Sequence, residues 1–387
     1  MQKDKLKQNL AQYLGKRKNI FFHYKGRVSL YAILKAMEIE EGDEVIIPAY
    51  TCVVVPNPII YAGAKPVYVD IDPDTYNMNT DLLEKAITSK TKVIVCQNTY
   101  GLSSGIEQII DIAKKHKLYT IEDCTHGFGG QYHGKPNGTY CDASFFSMQW
   151  NKPFSSGVGG FALINNPSLL EPMRQLEAEK IPVSLSEKMN LKILYFIRRY
   201  LLTNFTYFTF MRLYRWLSKN NMVVGSSSGE EISSVKKPKR FFKNYSNVQA
   251  KEALRNLKNF DDVLLRRKKN ARVYTDFLSE TGKNHVSVDL FDDHAFLKYP
   301  LRVIDRDRFF HLAEKANIPL GDWFFSPIHP VQQDLSAWCF DAKNYPVAVE
   351  MAKKVVNLPT DIKTTGKLIQ FLKKHIDLIE DEKNSIH

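Results

Sequence analysis

The 387-residue sequence predicts an α/β fold, with a large, mostly parallel sheet flanked by helices and a smaller C-terminal α/β domain behind it. Three observations lead there. From Arg27 to about Asn165, short apolar strand signals alternate with amphipathic helical ones, the rhythm of a parallel sheet covered on both faces. The rhythm breaks at a basic, aromatic-rich stretch and resumes further on. Finally, an aspartate and a lysine each fall at the end of a predicted strand, where ligands of such sheets collect. The expected division is a basic amino-terminal segment (1–20), a large domain (21–250) carrying a helical insertion and loop (170–243), and a small domain (251–387).

The elements follow in order. Residues 1–20 read as a short basic helix lying on the body of the protein or on a partner. A helical pattern over 28–37 leads to EGDEVIIPAY, a turn and a short strand, and a second over 53–61 leads to the strand 64–70. Helices over 80–87 and 106–116 precede strands over 92–96 and 118–121. Another strand, 143–148, runs into a Gly-rich turn. Residues 189–217 interleave nine aromatic residues with Arg198, Arg199, Arg212 and Arg215 and contain no acid. That composition suits a helical hairpin docked on the protein or a partner, an interfacial helix pair on anionic membrane, or a contact with a lipid-linked substrate. The polar stretch 225–240 reads as a mobile loop. A long helix is expected over 246–275, with Ala250, Leu254, Leu257 and Phe260 on its apolar face. A strand at 299–303 and helices at 306–316, 347–355 and 367–376 complete the small domain.

Composition narrows the function classes. The net charge is +12, yet between Glu171 and Lys243 fourteen basic residues meet six acidic ones, so most of the excess sits in one region. A nucleic-acid binder would stripe its charge differently. The longest uncharged run in the aromatic stretch, 200–211, is too short to span a bilayer. Five cysteines with no C-x-x-C pair argue for reduced thiols, no zinc site and a cytoplasmic setting. The amino terminus has no apolar signal-peptide core.

Lys152 lies in SMQWNKPFSSGVGG, 29 residues beyond Asp123. A lysine beside a turn is ordinarily a solvated surface residue. One whose pKa is lowered by burial or neighbours can form a Schiff base with an aldehyde. Asp123 ends the run IED and suits two roles: capping the turn that follows, or holding a pyridine nitrogen protonated. Together, lysine and aspartate are the pair that pyridoxal phosphate (PLP) chemistry needs. His126, three residues on, is a candidate for the cofactor's ring oxygen, and Ser147 for its phosphate. Near the start, Gly26, Arg27 and Val28 open a helix whose N-terminal N–H groups suit phosphate. Walker and G-x-G-x-x-G loops are absent, leaving nucleotide hydrolysis and dinucleotide binding without support.

These segments, with GDEVIIPAYTC, GAKPVYVDID, NTYG, IEDCTHGFGGQYHGKPNG and YPVAVEMAKKVVNLP, resemble the DegT/DnrJ/EryC1/StrS family of sugar aminotransferases, PLP enzymes of aspartate-aminotransferase fold type I. The resemblance covers most of the chain outside about 170–240. It implies that Lys152 carries the cofactor and moves the proton, that Asp123 pairs with the pyridine nitrogen, and that His126 stands by the ring oxygen. It also implies that Ser147 and the Gly26–Arg27–Val28 turn hold the phosphate, and that the enzyme is a homodimer. Lysine at 152 favours aminotransferases over the related sugar 3-dehydratases, which carry histidine there.

Three departures stand out. Arg27 replaces a hydroxyl residue. Cys52 stands where the family places a Phe or Trp that stacks on the cofactor ring. The segment reaching into the neighbouring subunit's phosphate site is poorly kept, with Asn244 as its candidate. Trp323, Phe324, Phe325 and His329 are candidates for either the acceptor site or the core. The expected function is transfer of an amino group, from glutamate, to a nucleotide-linked keto-sugar, in surface-polysaccharide or secondary-metabolite sugar biosynthesis. The rivals are a PLP eliminase or regulatory protein, and a non-catalytic protein at the membrane surface touching it through 189–217.

Overall fold

The structure is a computed structural model and describes residues 2–201, 229–332 and 334–382. Seven strands form the main sheet: β1 (Ile20–His23), β2 (Glu44–Pro48), β3 (Lys65–Val69), β4 (Thr91–Gln97), β5 (Tyr119–Asp123), β6 (Ala143–Ser147) and β7 (Gly160–Ile164), in the spatial order β1-β7-β6-β5-β4-β2-β3. Strand β7 runs antiparallel to both of its neighbours, while the remaining pairs are parallel. Every residue of β2 is buried, and so is nearly all of β4, as a strand covered on both faces requires. The antiparallel return from β6 to β7 needs a loop and no crossover helix. That loop carries Lys152.

The chain passes from β2 outward to β3, then returns to place β4 on the opposite side of β2. A crevice therefore opens at the carboxyl ends of β2 and β4, the place where open α/β sheets take ligands. Helix α1 (Gln2–Tyr13) belongs to the fold itself: Leu6 and Leu10 are fully buried in a cluster with Phe22, Leu254 and Phe260. Helices α2 (Gly26–Ala36), α3 (Pro56–Ala62) and α4 (Ile106–His116) connect the strands.

Beyond the sheet, α5 (Leu185–Phe196) starts at a capping box, Ser184 with Glu187, and continues into one π-helical turn, Ile197–Leu201. The rest of the expected aromatic hairpin, 202–217, lies outside the described residues, as does the first part of the expected loop. Its remainder differs from expectation. Residues Gly229–Ser233 are helical and Glu231 is 3% exposed, held by partners that polar composition does not reveal.

The single helix expected over 246–275 is two, α6 (Asn247–Leu257) and α7 (Phe260–Glu280). Asn259 leaves helical geometry at φ −109° and ψ 20°, and Asp261 and Asp262 then favour a new amino-terminal turn. Strand β8 (Tyr299–Arg302) pairs antiparallel with β9 (Val355–Leu358), among α8 (Arg306–Lys315), α9 (Pro346–Lys354) and α10 (Gly366–Lys374). Tyr274, Leu301, Phe309, Val356 and Leu372 form their shared core.

The segment between α8 and α9 returns to the main sheet. Phe324, Ile328, Trp338 and Phe340 enter its core, and Ile328–His329 pairs in parallel with Thr51–Cys52. Trp338 Nε1 donates to Asn57 Oδ1 at 2.7 Å, and the Asp70 carboxylate accepts from the Val347 and Ala348 N–H groups at 3.0 and 2.9 Å, capping α9.

Candidate active site

The switch-point crevice closes into a cavity of about 350 Å³, within the range of about 300–1,000 Å³ usual for small-molecule sites. Asp123 enters it from the end of β5, Gln97 from the end of β4, Thr51 and Cys52 from just past β2, and Ser147 from the end of β6. Lys152 arrives on the β6–β7 loop, which is tied by Met148 N–H donating to Gly159 O at 2.9 Å and Ser156 N–H to Met148 O at 2.8 Å. Trp323, Phe324 and His329 complete the wall, so three of the four aromatic candidates from this segment line the cavity.

Asp123 is 3% exposed, and its Oδ1 accepts the Thr125 N–H at 2.9 Å. It thus caps the turn that follows and still lines the cavity. Burial pushes its carboxyl up, opposed by the Thr125 hydrogen bonds and the Lys152 charge. Burial brings the Lys152 ammonium down to about 8. Cys52 and Asp123 draw it back up, while Arg27 and Lys298 depress it further. Lys152 Nζ stands 4.5 Å from the centre of the Trp323 indole, and Lys298 Nζ stands 5.7 Å from the same ring, both within cation–π range.

His126 stacks on that indole. Its Nδ1 accepts the Tyr100 N–H at 3.3 Å, so the proton of the neutral ring resides on Nε2. Burial holds its pKa well below the ordinary range, with the Lys152 charge acting in the same direction. Trp323 is fixed through its backbone: Asn357 Oδ1 accepts its N–H at 3.0 Å, and its carbonyl accepts from the Tyr100 hydroxyl at 2.9 Å.

At the other end of the cavity, α2 begins at Gly26 against the ends of β6 and β7. A Cβ on Gly26 would lie 3.1 Å from Ser147 Cβ, and one on Gly160 would lie 2.4 Å from Gly26 N. Only glycine allows that approach. Lys25 supplies no side-chain cap to α2. The Arg27 guanidinium is turned to Glu231 at 2.5 Å, with Lys25 Nζ at 3.5 Å from the other carboxylate oxygen. Val28 lines none of the cavity. Its side chain packs with Tyr61 and Phe241, leaving its backbone to the α2 amino terminus.

Asn244 is not brought to the cavity within one chain. Its Oδ1 accepts from Lys3 Nζ at 3.2 Å and from the Tyr245 N–H at 2.7 Å. Residues that sequence reasoning passed over are Gln97, Thr51, Glu231 and Lys298. Gln97 ends a predicted strand as Asp123 does, so the same rule could have found it. Glu231 offered no signal, being one of two adjacent acids in a Ser-rich stretch.

The profile of the DegT/DnrJ/EryC1/StrS aminotransferase family matches residues 1–194 and 237–375. The chain belongs to this family. Its DegT/DnrJ/EryC1/StrS relatives include the GDP-perosamine synthase of Escherichia coli O157:H7, 39% identical over 176 residues, which are 46% of this chain and 47% of that protein. The UDP-2-acetamido-2-deoxy-3-oxo-D-glucuronate aminotransferase of Pseudomonas aeruginosa is 37% identical over 172 residues, 44% of this chain and 48% of the relative. These matches span about half the length of both curated relatives. Among solved structures, the putative sugar aminotransferase Spr1654 from Streptococcus pneumoniae in its PMP-form superposes with a TM-score of 0.75. At 22% identity, covering 97% of this chain and 90% of that one, it matches in fold.

The internal stretch between the two matched parts of the profile, 195–236, holds the end of the α5 region and the Glu231 segment. Within the profile, the cavity suits the cofactor that the motifs imply. A buried carboxylate, a buried amine of lowered pKa and a glycine cradle at a helix amino terminus match a pyridine nitrogen, an aldehyde and a phosphate.

Proposed function

We propose that this chain is a PLP-dependent aminotransferase that moves an amino group, with glutamate as donor, to a nucleotide-linked keto-sugar. The observation that carries the reading is the convergence of Asp123, at the end of β5, and Lys152, on the β6–β7 loop, in one cavity. The names of the partial relatives support the substrate class.

Asp123 would hold the pyridine nitrogen, His126 the ring oxygen through its Nε2–H, and Ser147 with the Gly26–Val28 backbone the phosphate. When bound, PLP supplies an electron sink for the carbanion formed at the donor's α-carbon. Lys152 Nζ anchors the cofactor and moves the proton at that carbon. Its depressed pKa leaves about a tenth of the amine neutral near pH 7, far more than an ordinary lysine would have. Trp323 and Phe324 line the same cavity as Asp123 and Lys152.

Two further readings belong here. We propose a homodimer, with Asn244 directed to the neighbouring subunit. A peripheral membrane contact is favoured by exposed Leu185, Met189, Ile193, Phe196 and Tyr200, which recur along the α5 region at helical spacing. Among the described residues no helix is long and apolar enough to cross a membrane.

The deciding experiment incubates the PLP-loaded protein with glutamate and a panel of nucleotide keto-sugars, following 2-oxoglutarate and amino-sugar mass. Aminated sugar supports the reading. Loss of water from the sugar without amine gain would assign the chain to elimination instead. Co-sedimentation with anionic liposomes at low salt tests the membrane contact.

A further inference from the structure

A second cavity, about 710 Å³, shares Trp150, Asn151 and Lys152 with the first but reaches neither Asp123 nor Ser147. Its wall is rich in cations, and its two acids are already engaged. Glu252 takes Arg199 at 2.9 Å and Arg255 at 2.6 Å, and Asp361 takes Arg266 at 2.5 Å. Arg198 lies over the Trp150 ring, 4.5 Å from its centre, which besides Lys152 leaves Arg267 and Lys298. Arg267 projects from α7 and is 5% exposed. Its Nη2 donates to Pro153 O, next to the lysine, at 3.1 Å. Its Nε and Nη1 have no hydrogen-bond partner among the described residues. Among the described residues Lys298 forms no ion pair, and it faces the Trp323 ring that Lys152 also faces.

A guanidinium taken out of water with two N–H groups unmet is costly unless something provides acceptors. Its planar fork matches two oxygens of one carboxylate or phosphate, and a neighbouring ammonium adds a point charge. Burial brings both groups down from their ordinary values, Arg267 to about 10 and Lys298 to about 8, a bias that an arriving oxyanion would reverse. We infer that Arg267 and Lys298 form an oxyanion subsite that receives the phosphate or carboxylate oxygens of a substrate presented to Lys152. The inference rests on the aminotransferase reading only for what Lys152 does to that substrate. The oxyanion has two sources there, the diphosphate of the acceptor or a carboxylate of the donor.

The test uses PLP-loaded protein and calorimetric titration with GDP, UDP and glutamate, on wild type, Arg267→Met, Arg267→Lys and Lys298→Met. Arg267→Met is expected to weaken one of these ligands by about tenfold to a hundredfold, the range for a hydrogen bond to a charged group. The bound-cofactor absorbance should stay at its wild-type value. Loss of GDP or UDP identifies the diphosphate, and loss of glutamate identifies the carboxylate. Arg267→Lys should recover part of the affinity, which a merely structural arginine would not do. If Arg267→Met does not fold, Lys298→Met carries the test, with a loss in the same ligand expected. The inference is overturned if the folded variants bind all three ligands as wild type does, or if wild type binds none. Arg267-dependent binding without amino transfer would keep the subsite and remove the aminotransferase reading. Amino transfer with an unchanged KM in Arg267→Met would do the reverse.

Discussion

The His126 imidazole lies flat against the Trp323 indole, the ring centres 4.8 Å apart and the planes within 5° of parallel. One ring comes from the turn after β5 and the other from the segment leading back to the main sheet. The indole thus meets an imidazole on one side and two ammonium groups, of Lys152 and Lys298, within reach of its π-system. In a site with Cys52 where an aromatic residue is usual, it is one of the large rings lining the cavity, with Trp150 and Phe324. Stacking and cation–π contacts of this kind are each worth about 0.5–2 kcal/mol. Trp323→Ala is therefore expected to weaken PLP binding by about tenfold and Trp323→Phe by about threefold or less. Titration of the apoprotein, read by absorbance, checks this, and equal affinities for all three proteins would remove Trp323 from the site.

Lys152→Ala should abolish covalent capture of PLP, leaving no cofactor mass on the chain after borohydride reduction. In wild type the capture rate should climb with pH through about 8, as the amine loses its proton. The stability effect has a definite sign. The ordinary lysine value is 10.5, so between about 8 and 10.5 the unfolded chain holds a proton that the folded one has released. This group's contribution to apoprotein stability consequently rises with pH across that window. Denaturation midpoints of wild type and Lys152→Met, compared across it, measure the effect.

Arg27 and Glu231 form a buried pair at the amino terminus of α2. Glu231→Gln leaves the arginine without its carboxylate, a change that typically costs about 3–5 kcal/mol. A fall in apoprotein Tm is expected. Because phosphate can replace the missing charge, inorganic phosphate and PLP should raise the variant's Tm more than that of wild type. An equal rise in both proteins would place Arg27 outside the phosphate's reach.

His126 is neutral, so its titration should contribute no limb to the activity profile between about pH 6 and 8. His126→Gln, which retains a hydrogen-bond donor, should change kcat without moving the inflections of the pH profile. An inflection near the ordinary histidine value that vanishes in the variant would contradict this.

Much of this architecture was readable in advance, for a physical reason. Strands β2 to β6 are apolar runs bounded by turns, and their carboxyl ends mark the site, which is why Asp123 and Lys152 stood out. Strand β1 is four residues behind a basic segment, and β7 begins at the last glycine of GVGG, whose glycines read as the end of structure when they permit the close packing of Gly160 on Gly26. The split at Asn259 was masked because Leu257 and Phe260 keep helical spacing across it. Glu231 and Arg267 act through partners distant in the chain, and no local pattern announces such pairs.

The two-residue parallel pairing of Thr51–Cys52 with Ile328–His329 has a consequence for biosynthesis. One wall of the cofactor cavity is made from a segment that leaves the ribosome when most of the chain has already been translated. Asp123, Ser147 and Lys152 emerge long before that wall exists. A nascent chain therefore exposes Lys152 in an unfinished, open pocket, and on the proposed reading firm retention of PLP would wait until synthesis has passed His329.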